Sequence, residues 1–190
     1  YMAMTKFAVT LVGTRPLLLH NAQLADPTNQ WSQEMARLTK ARQKTLEQHL
    51  EIRRVEWLGG LYLDDDDNPA IPGENITAML VQAARKFKRG KQFAAGVVEA
   101  EPWFAIIHDG PKTLKEMYAL PPFSDYRSVV ISQRRVMRCR PRFSPWRLPV
   151  SLLYDSQAIE EIDLTNAFTI AGESIGLGDR RPQFGRFTVE

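Results

Sequence analysis

Pro72-Gly73-Glu74-Asn75-Ile76-Thr77-Ala78-Met79-Leu80-Val81-Gln82-Ala83-Ala84-Arg85-Lys86-Phe87 is the most strongly patterned stretch of this sequence. Counted from Ile76, the residues Ile76, Met79, Leu80, Ala83, Ala84 and Phe87 fall at offsets 0, 3, 4, 7, 8 and 11, the spacing of one buried helix face. Pro72-Gly73-Glu74 marks the start, and the basic last turn suits the negative end of the helix dipole.

Strands are expected on both sides of this helix. Upstream, Phe7-Ala8-Val9-Thr10-Leu11-Val12 is β-rich and stops near Gly13, and Pro16 to Leu19 continues in extended form. Ala22 to Gln30 reads as loop with a turn at Asp26-Pro27. Ser32 is placed to cap one charged surface helix from about Gln33 to Val55, ended by Gly59-Gly60. Leu61 to Leu63 reads as a short strand before the turn Asp64-Asp65-Asp66-Asp67-Asn68-Pro69. Downstream, Val97 to Ile107 reads as a strand pair or one strand broken at Pro102, and Pro111 to Tyr126 as irregular. Val129-Val130-Ile131 opens a strand running into an arginine-rich segment, with Leu148 to Tyr154 as its hairpin partner. A last helix over about Leu164 to Ile175, capped by Asp163, ends at Gly176, and Phe184 to Val189 is the final strand.

Without its insertions the order is strand, helix, strand, strand, helix, strand. The fold class expected is therefore α+β, a modified ferredoxin-like palm of the kind shared with RNA-recognition domains. One domain over residues 1–190 is expected, with an insertion over about 20–72 and a thumb-like hairpin over about 127–154.

The chain has 190 residues and a net charge of only +3, but the charge is segregated. Between Asp125 and Asp155 there is no acid, while Arg127, Arg134, Arg135, Arg138, Arg140, Arg142 and Arg147 crowd the interval. A second cluster holds Arg85, Lys86, Lys88, Arg89 and Lys91. Such segregation builds the positive field that a polyphosphate partner requires, although a solvated basic surface has the same composition. No apolar run is long enough for a transmembrane helix, and the first residues lack the apolar core of a secretory signal. Cys139 is the only cysteine, which excludes an internal disulfide and fits a reducing, cytoplasmic setting.

The stretch Gly176-Leu177-Gly178-Asp179-Arg180-Arg181-Pro182-Gln183-Phe184-Gly185-Arg186-Phe187 carries the functional reading. Gly176, Gly178 and Gly185 permit left-handed backbone and close approach of another chain. Arg180, Arg181 and Arg186 supply planar forks that match phosphate oxygens. It is neither a Walker loop nor a dinucleotide fingerprint, because no Gly-Lys-Ser/Thr closes it and it follows a helix. A tight turn dressed with surface arginines is the plainer alternative.

This segment resembles the glycine-rich loop that closes the RAMP superfamily, the repeat-associated proteins of CRISPR systems. Ile71-Pro72-Gly73-Glu74-Asn75-Ile76 is similar to the approach to the first helix in their backbone subunits, with Glu74-Asn75 in place of the usual small hydroxyl pair. Val12-Gly13-Thr14-Arg15-Pro16-Leu17-Leu18-Leu19 resembles their first strand and its continuation. The charged helix after Ser32 is not a standard feature of them. The resemblance implies an RNA-binding backbone subunit that grips guide RNA, forms a homo-oligomer along it and meets other effector subunits. It also implies that the segment Arg134 to Arg147 acts as a thumb, with arginines on phosphates and Phe143 and Trp146 stacking on bases unless they are core.

Catalysis has less support. His20 is a weak candidate for the general base of a metal-independent endoribonuclease, as in relatives that process guide RNA, or else a structural histidine. Asp26 resembles in location an aspartate by which some backbone subunits cleave target RNA, but an Asp-Pro pair also makes a turn. Asp64 to Asp67 reads as a solvated hairpin tip, and no metal or cofactor is expected. A third possibility is a non-enzymatic protein whose basic surface binds single-stranded nucleic acid or an acidic partner.

Overall fold

The computed structural model describes residues 4–190. In chain order the elements are β1 (Met4–Gly13), β2 (Leu17–Leu18), α1 (Gln30–Thr39), α2 (Leu46–Gly60), β3 (Ala70–Pro72), α3 (Gly73–Ala84), α4 (Gly90–Gly96), β4 (Val97–Glu99), β5 (Trp103–Ala105), α5 (Leu114–Ala119), β6 (Ser124–Ile131), β7 (Arg134–Phe143), β8 (Arg147–Asp155), α6 (Glu161–Ile170) and β9 (Phe187–Val189). The fold is mixed α+β with antiparallel sheets. Its residues group into two compact units, the first holding the residues up to Leu17, Tyr62–Asp109 and Ser144–Glu190, the second Leu18–Leu61 and Gly110–Phe143.

The first unit is built on a four-stranded sheet in the order β4-β8-β1-β9. β1 pairs with β8 from Met4↔Asp155 to Val12↔Arg147, β9 pairs with Leu11 to Gly13 of β1, and β4 pairs with Val97↔Tyr154 to Glu99↔Leu152 on β8. All three pairings are antiparallel, so β1 and β4 run the same way with β8 between them. Likewise β8 and β9 run the same way with β1 between them. Each strand–helix–strand crossover leaves a gap of one strand, and the other crossover fills it.

Period-two alternation decides which face of this sheet is buried. On β8, Leu148, Val150, Leu152 and Tyr154 are buried while Arg147 and Pro149 are exposed. Against that face lie α3, through Ile76, Met79, Leu80, Ala83 and Ala84, and α6, through Leu164, Ala167 and Phe168. Phe168 stacks on Phe7 of β1 with ring centroids 5.9 Å apart. Burying side chains of this size contributes about 1.5–3 kcal/mol each.

The start of α3 is fixed by Pro72, whose extended backbone caps the helix, and by Gly73, whose N–H donates to the Pro102 carbonyl at 2.8 Å. A Cβ on Gly73 would stand 2.6 Å from the Glu101 carbonyl oxygen, so only glycine fits. The helix face read from the sequence is the buried one from Ile76 to Ala84, while Phe87 lies beyond the helix in a 3-10 turn and is half-buried. α6 begins three residues before the expected Leu164: Glu160 is the N-cap, and Asp163 sits inside the helix, accepting from the Glu160 N–H at 3.2 Å. A single turn of π-helix over Ala171–Ile175 carries it to Gly176, as expected.

The second unit packs α1 and α2 with a long hairpin, β6 paired to β7 from Ser124↔Pro141 to Ile131↔Arg134, and β2 flanks β7. Trp57 of α2 is fully buried and donates its indole N–H to the Phe123 carbonyl at 2.8 Å. Its ring centroid lies 5.4 Å from that of Tyr118. The Glu56 carboxylate, almost completely buried, accepts from the Cys139 N–H and the Arg138 guanidinium, both at 2.8 Å. Burial pushes the Cys139 thiol above its ordinary pKa.

Several expectations change. The single helix from Gln33 to Val55 is two, because Thr45 and Gln48 form a capping box that starts α2 afresh. Asn29, not Ser32, caps α1, and the Ser32 hydroxyl donates to the Leu24 carbonyl instead. Leu61 to Leu63 contributes only one bridge, Leu63↔Pro69. The irregular stretch after Pro111 contains α5, capped by Thr113. The strand opened at Val129 does not run on into the arginines. It turns at Ser132-Gln133, both in left-handed backbone, so its partner is Arg134–Phe143. Leu148 to Tyr154 pairs instead with β1, and the last strand is confined to Phe187–Val189. Among the described residues no helix is long and apolar enough to cross a membrane.

Candidate nucleic-acid interface

The glycine-rich segment folds back on itself between α6 and β9. Gly176, Gly178 and Gly185 have φ of +79°, +76° and +69°, and Arg180 also lies in left-handed backbone at +55°. The Leu177 N–H donates to the Gly185 carbonyl at 2.9 Å, and the Gly185 N–H donates to the Pro16 carbonyl at 2.8 Å. A Cβ on Gly185 would fall 1.7 Å from the Leu177 carbonyl oxygen, so the closure requires glycine there.

The three loop arginines take different roles. Arg181 is exposed. Arg180 lies over the Phe184 ring at 5.6 Å, a cation–π contact that holds the guanidinium at the loop surface. Arg186 is half-buried, and its Nε donates to the Pro182 carbonyl at 2.7 Å, so one of its donors ties the loop together.

The second basic cluster comes to the same place. Lys86, just beyond α3, donates from Nζ to the Ser174 hydroxyl at 2.6 Å, two residues before the glycine loop. A cleft of about 420 Å³ is lined by Gln82 of α3 together with Ser174, Gly178, Asp179, Arg180 and Arg181. A second cleft of about 490 Å³ shares Gln82 and includes Arg85. Lys88 is exposed. Arg89 is committed elsewhere, paired with Asp163 at 2.9 Å. Arg180 and Arg181 thus line the first cleft together with Gln82 and the carboxylate of Asp179, Arg85 lines the second, and Lys86 stands at the edge of the first through Ser174.

The arginine-rich segment does not act as one patch. Arg134 and Arg135 are exposed at the end of the β6–β7 hairpin, beside the exposed Val130, Ile131 and Met137. Arg138 pairs with Glu56, Arg140 is buried, and Arg142 donates to the Pro122 carbonyl at 2.8 Å. Arg147 belongs to β8 in the other unit and pairs with Glu190 at 2.6 Å. Phe143 and Trp146 are core residues, 0% and 1% exposed, so neither is available to stack on a base. Trp146 donates to the Arg15 carbonyl at 2.9 Å, and Phe143 meets the Phe123 ring edge-on. The core alternative therefore holds for both, with Phe143 closing β7 and Trp146 immediately preceding β8.

The catalytic candidates are placed as follows. His20 is exposed just after β2. Asp26 accepts from both the N–H and the hydroxyl of Thr28 at 2.8 Å, and the backbone bond first among these holds its carboxyl below the ordinary range. A carboxylate stabilised in this way is a turn anchor and a poor base. Asp64 likewise accepts from the N–H groups of Asp66 and Asn68 and closes its turn. Among the described residues no cluster of histidine, cysteine and acidic side chains suits a metal ion.

Sequence reasoning missed Gln82, and also Lys44, His49 and Arg53 beside the hairpin. Their signal is spatial, since α2 and β6–β7 are far apart in the chain. Neither the models of known protein families nor the curated proteins contain a match to this chain.

Proposed function

We propose that this chain is an RNA-binding subunit of the RAMP kind, which grips the phosphates of single-stranded guide RNA in a CRISPR-type ribonucleoprotein and repeats along it as a homo-oligomer in contact with other effector subunits. The observation that carries the reading is the meeting of two basic clusters about ninety residues apart, joined by the Lys86–Ser174 hydrogen bond at the edge of one cleft. The interleaved crossovers of the β4-β8-β1-β9 sheet support a ferredoxin-like palm, the scaffold of many RNA-recognition domains. Arg180 and Arg181 offer forks to phosphate oxygens, and Gln82 offers an amide to a sugar or base edge.

Fluorescence anisotropy with labelled single-stranded RNA tests this. Joint replacement Arg180→Ala and Arg181→Ala removes two charge-assisted contacts, for an expected loss of about tenfold or more in affinity. The fold is expected to survive, since neither side chain is buried. Unchanged affinity in the double variant would overturn the proposal.

A further inference from the structure

The second unit carries a cleft of its own, with a volume of about 290 Å³, between α2 and the β6–β7 hairpin. Lys44, His49 and Arg53 line it from the helix side, and Tyr126 and Arg135 from the hairpin. The one acid in its wall is Glu56, and that carboxylate is already bound by Arg138 and the Cys139 N–H. Three permanent cations and an imidazole therefore surround the space with no free anion facing them from the lining.

Two further features give the cleft a built character. The Arg53 guanidinium lies 4.4 Å from the centre of the Tyr126 ring, which fixes it as a flat platform. Its Nε is buried and has no hydrogen-bond partner among the described residues, while the Cys139 thiol lies beside the same guanidinium. Lys44 precedes the N-cap Thr45, and His49 stands one turn into a helix of 15 residues, so the positive end of its dipole adds to the field.

We propose that this cleft binds the dianionic phosphate of a nucleotide, a phosphomonoester, at a site separate from the groove of the first unit and independent of the RNA-gripping role. The charge favours a monoester over a diester: several cations with one neutralised acid match a group carrying two charges better than one carrying a single charge. The size agrees, since small-ligand pockets begin near ~300 Å³. Ile52 and Met137 supply apolar wall for a sugar or base beside the phosphate.

Isothermal titration of the full chain with uridine 5′-monophosphate, uridine, inorganic phosphate and the diester uridylyl-uridine tests the assignment. The expected result is binding of the monophosphate, at least tenfold tighter than uridine or the diester, and tighter than inorganic phosphate. Lys44→Glu and Arg135→Glu are each expected to weaken it at least tenfold. Lys115→Glu, an equal charge change on an exposed residue of α5, should leave it unchanged. His49→Ala, also at an exposed position, gives a milder variant whose circular dichroism melt should match the parent. Four results would each overturn the proposal: no binding of the monophosphate, equal binding of uridine or the diester, insensitivity to both charge reversals, or equal weakening by Lys115→Glu. Inorganic phosphate binding as tightly as the monophosphate would assign the cleft to the free ion and overturn the nucleotide.

Discussion

Gly185 shows how a single missing side chain can hold a loop in shape. Its φ of +69° is a region that side-chain-bearing residues adopt at a cost, and an added Cβ would overlap the Leu177 carbonyl oxygen at 1.7 Å. That carbonyl cannot move freely, because the Leu177 N–H is bonded to Gly185 itself. Gly185→Ala is therefore expected to destabilise the protein by about 3 kcal/mol, from backbone strain and the lost closure together. Urea unfolding checks this, and a midpoint equal to the parent's would show that the loop relaxes without loss. The glycines were legible because glycine at such spacing has few other uses. The commitments of the arginines were not: nothing in the order of residues says that Arg186 bonds to the Pro182 carbonyl while Arg181 stays exposed.

Helix α2 and the β6–β7 hairpin are joined through one carboxylate, and this contact sets how the hairpin's base is held. Glu56 neutralises Arg138 and also satisfies the Cys139 N–H, which points away from β6 and toward the helix. Glu56→Ala leaves a buried amide donor unpaired and a half-buried guanidinium without its partner, for an expected cost of about 3 kcal/mol. Glu34→Ala breaks an ion pair of similar length with Arg37 on the exposed face of α1, and should leave the unfolding midpoint nearly unchanged. Denaturant titration of the two variants side by side is decisive, since equal losses would mean that Glu56 does not anchor the hairpin. At this scale the sequence misled in two places for physical reasons. Charge patterning runs unbroken from Gln33 to Val55, and only the Thr45–Gln48 capping box divides it. The hairpin turn uses Ser132-Gln133 in backbone usually taken by Asn-Gly, so no glycine announced it.

For the whole chain, α3 and β1 were readable from their own patterning, whereas the short helices α4 and α5 carry too few residues to show a period. Strand partnership was not readable either, since alternation in Leu148 to Tyr154 reports which face is buried and is silent on which neighbour pairs. The same gap hid the convergence of Gln82 and Lys86 with the glycine loop, and it is this convergence that sets a number for the RNA proposal. In the first unit Arg180 and Arg181 line one cleft beside Asp179, Arg85 lines its neighbour across Gln82 and Lys86 meets Ser174 at the edge, while Arg89 and Arg147 are paired with Asp163 and Glu190. Four phosphate contacts on a single strand release counterions with a slope of about −3 in log affinity against log salt, from ~0.7 per contact. Removing Arg180 and Arg181 should flatten that slope by about 1.4 units, because two of the four released counterions no longer contribute. Anisotropy titrations from low to moderate salt measure both values. A parent slope near zero would mean that phosphates are not what this groove holds, and a steep slope unaltered in the double variant would place the grip on other cations.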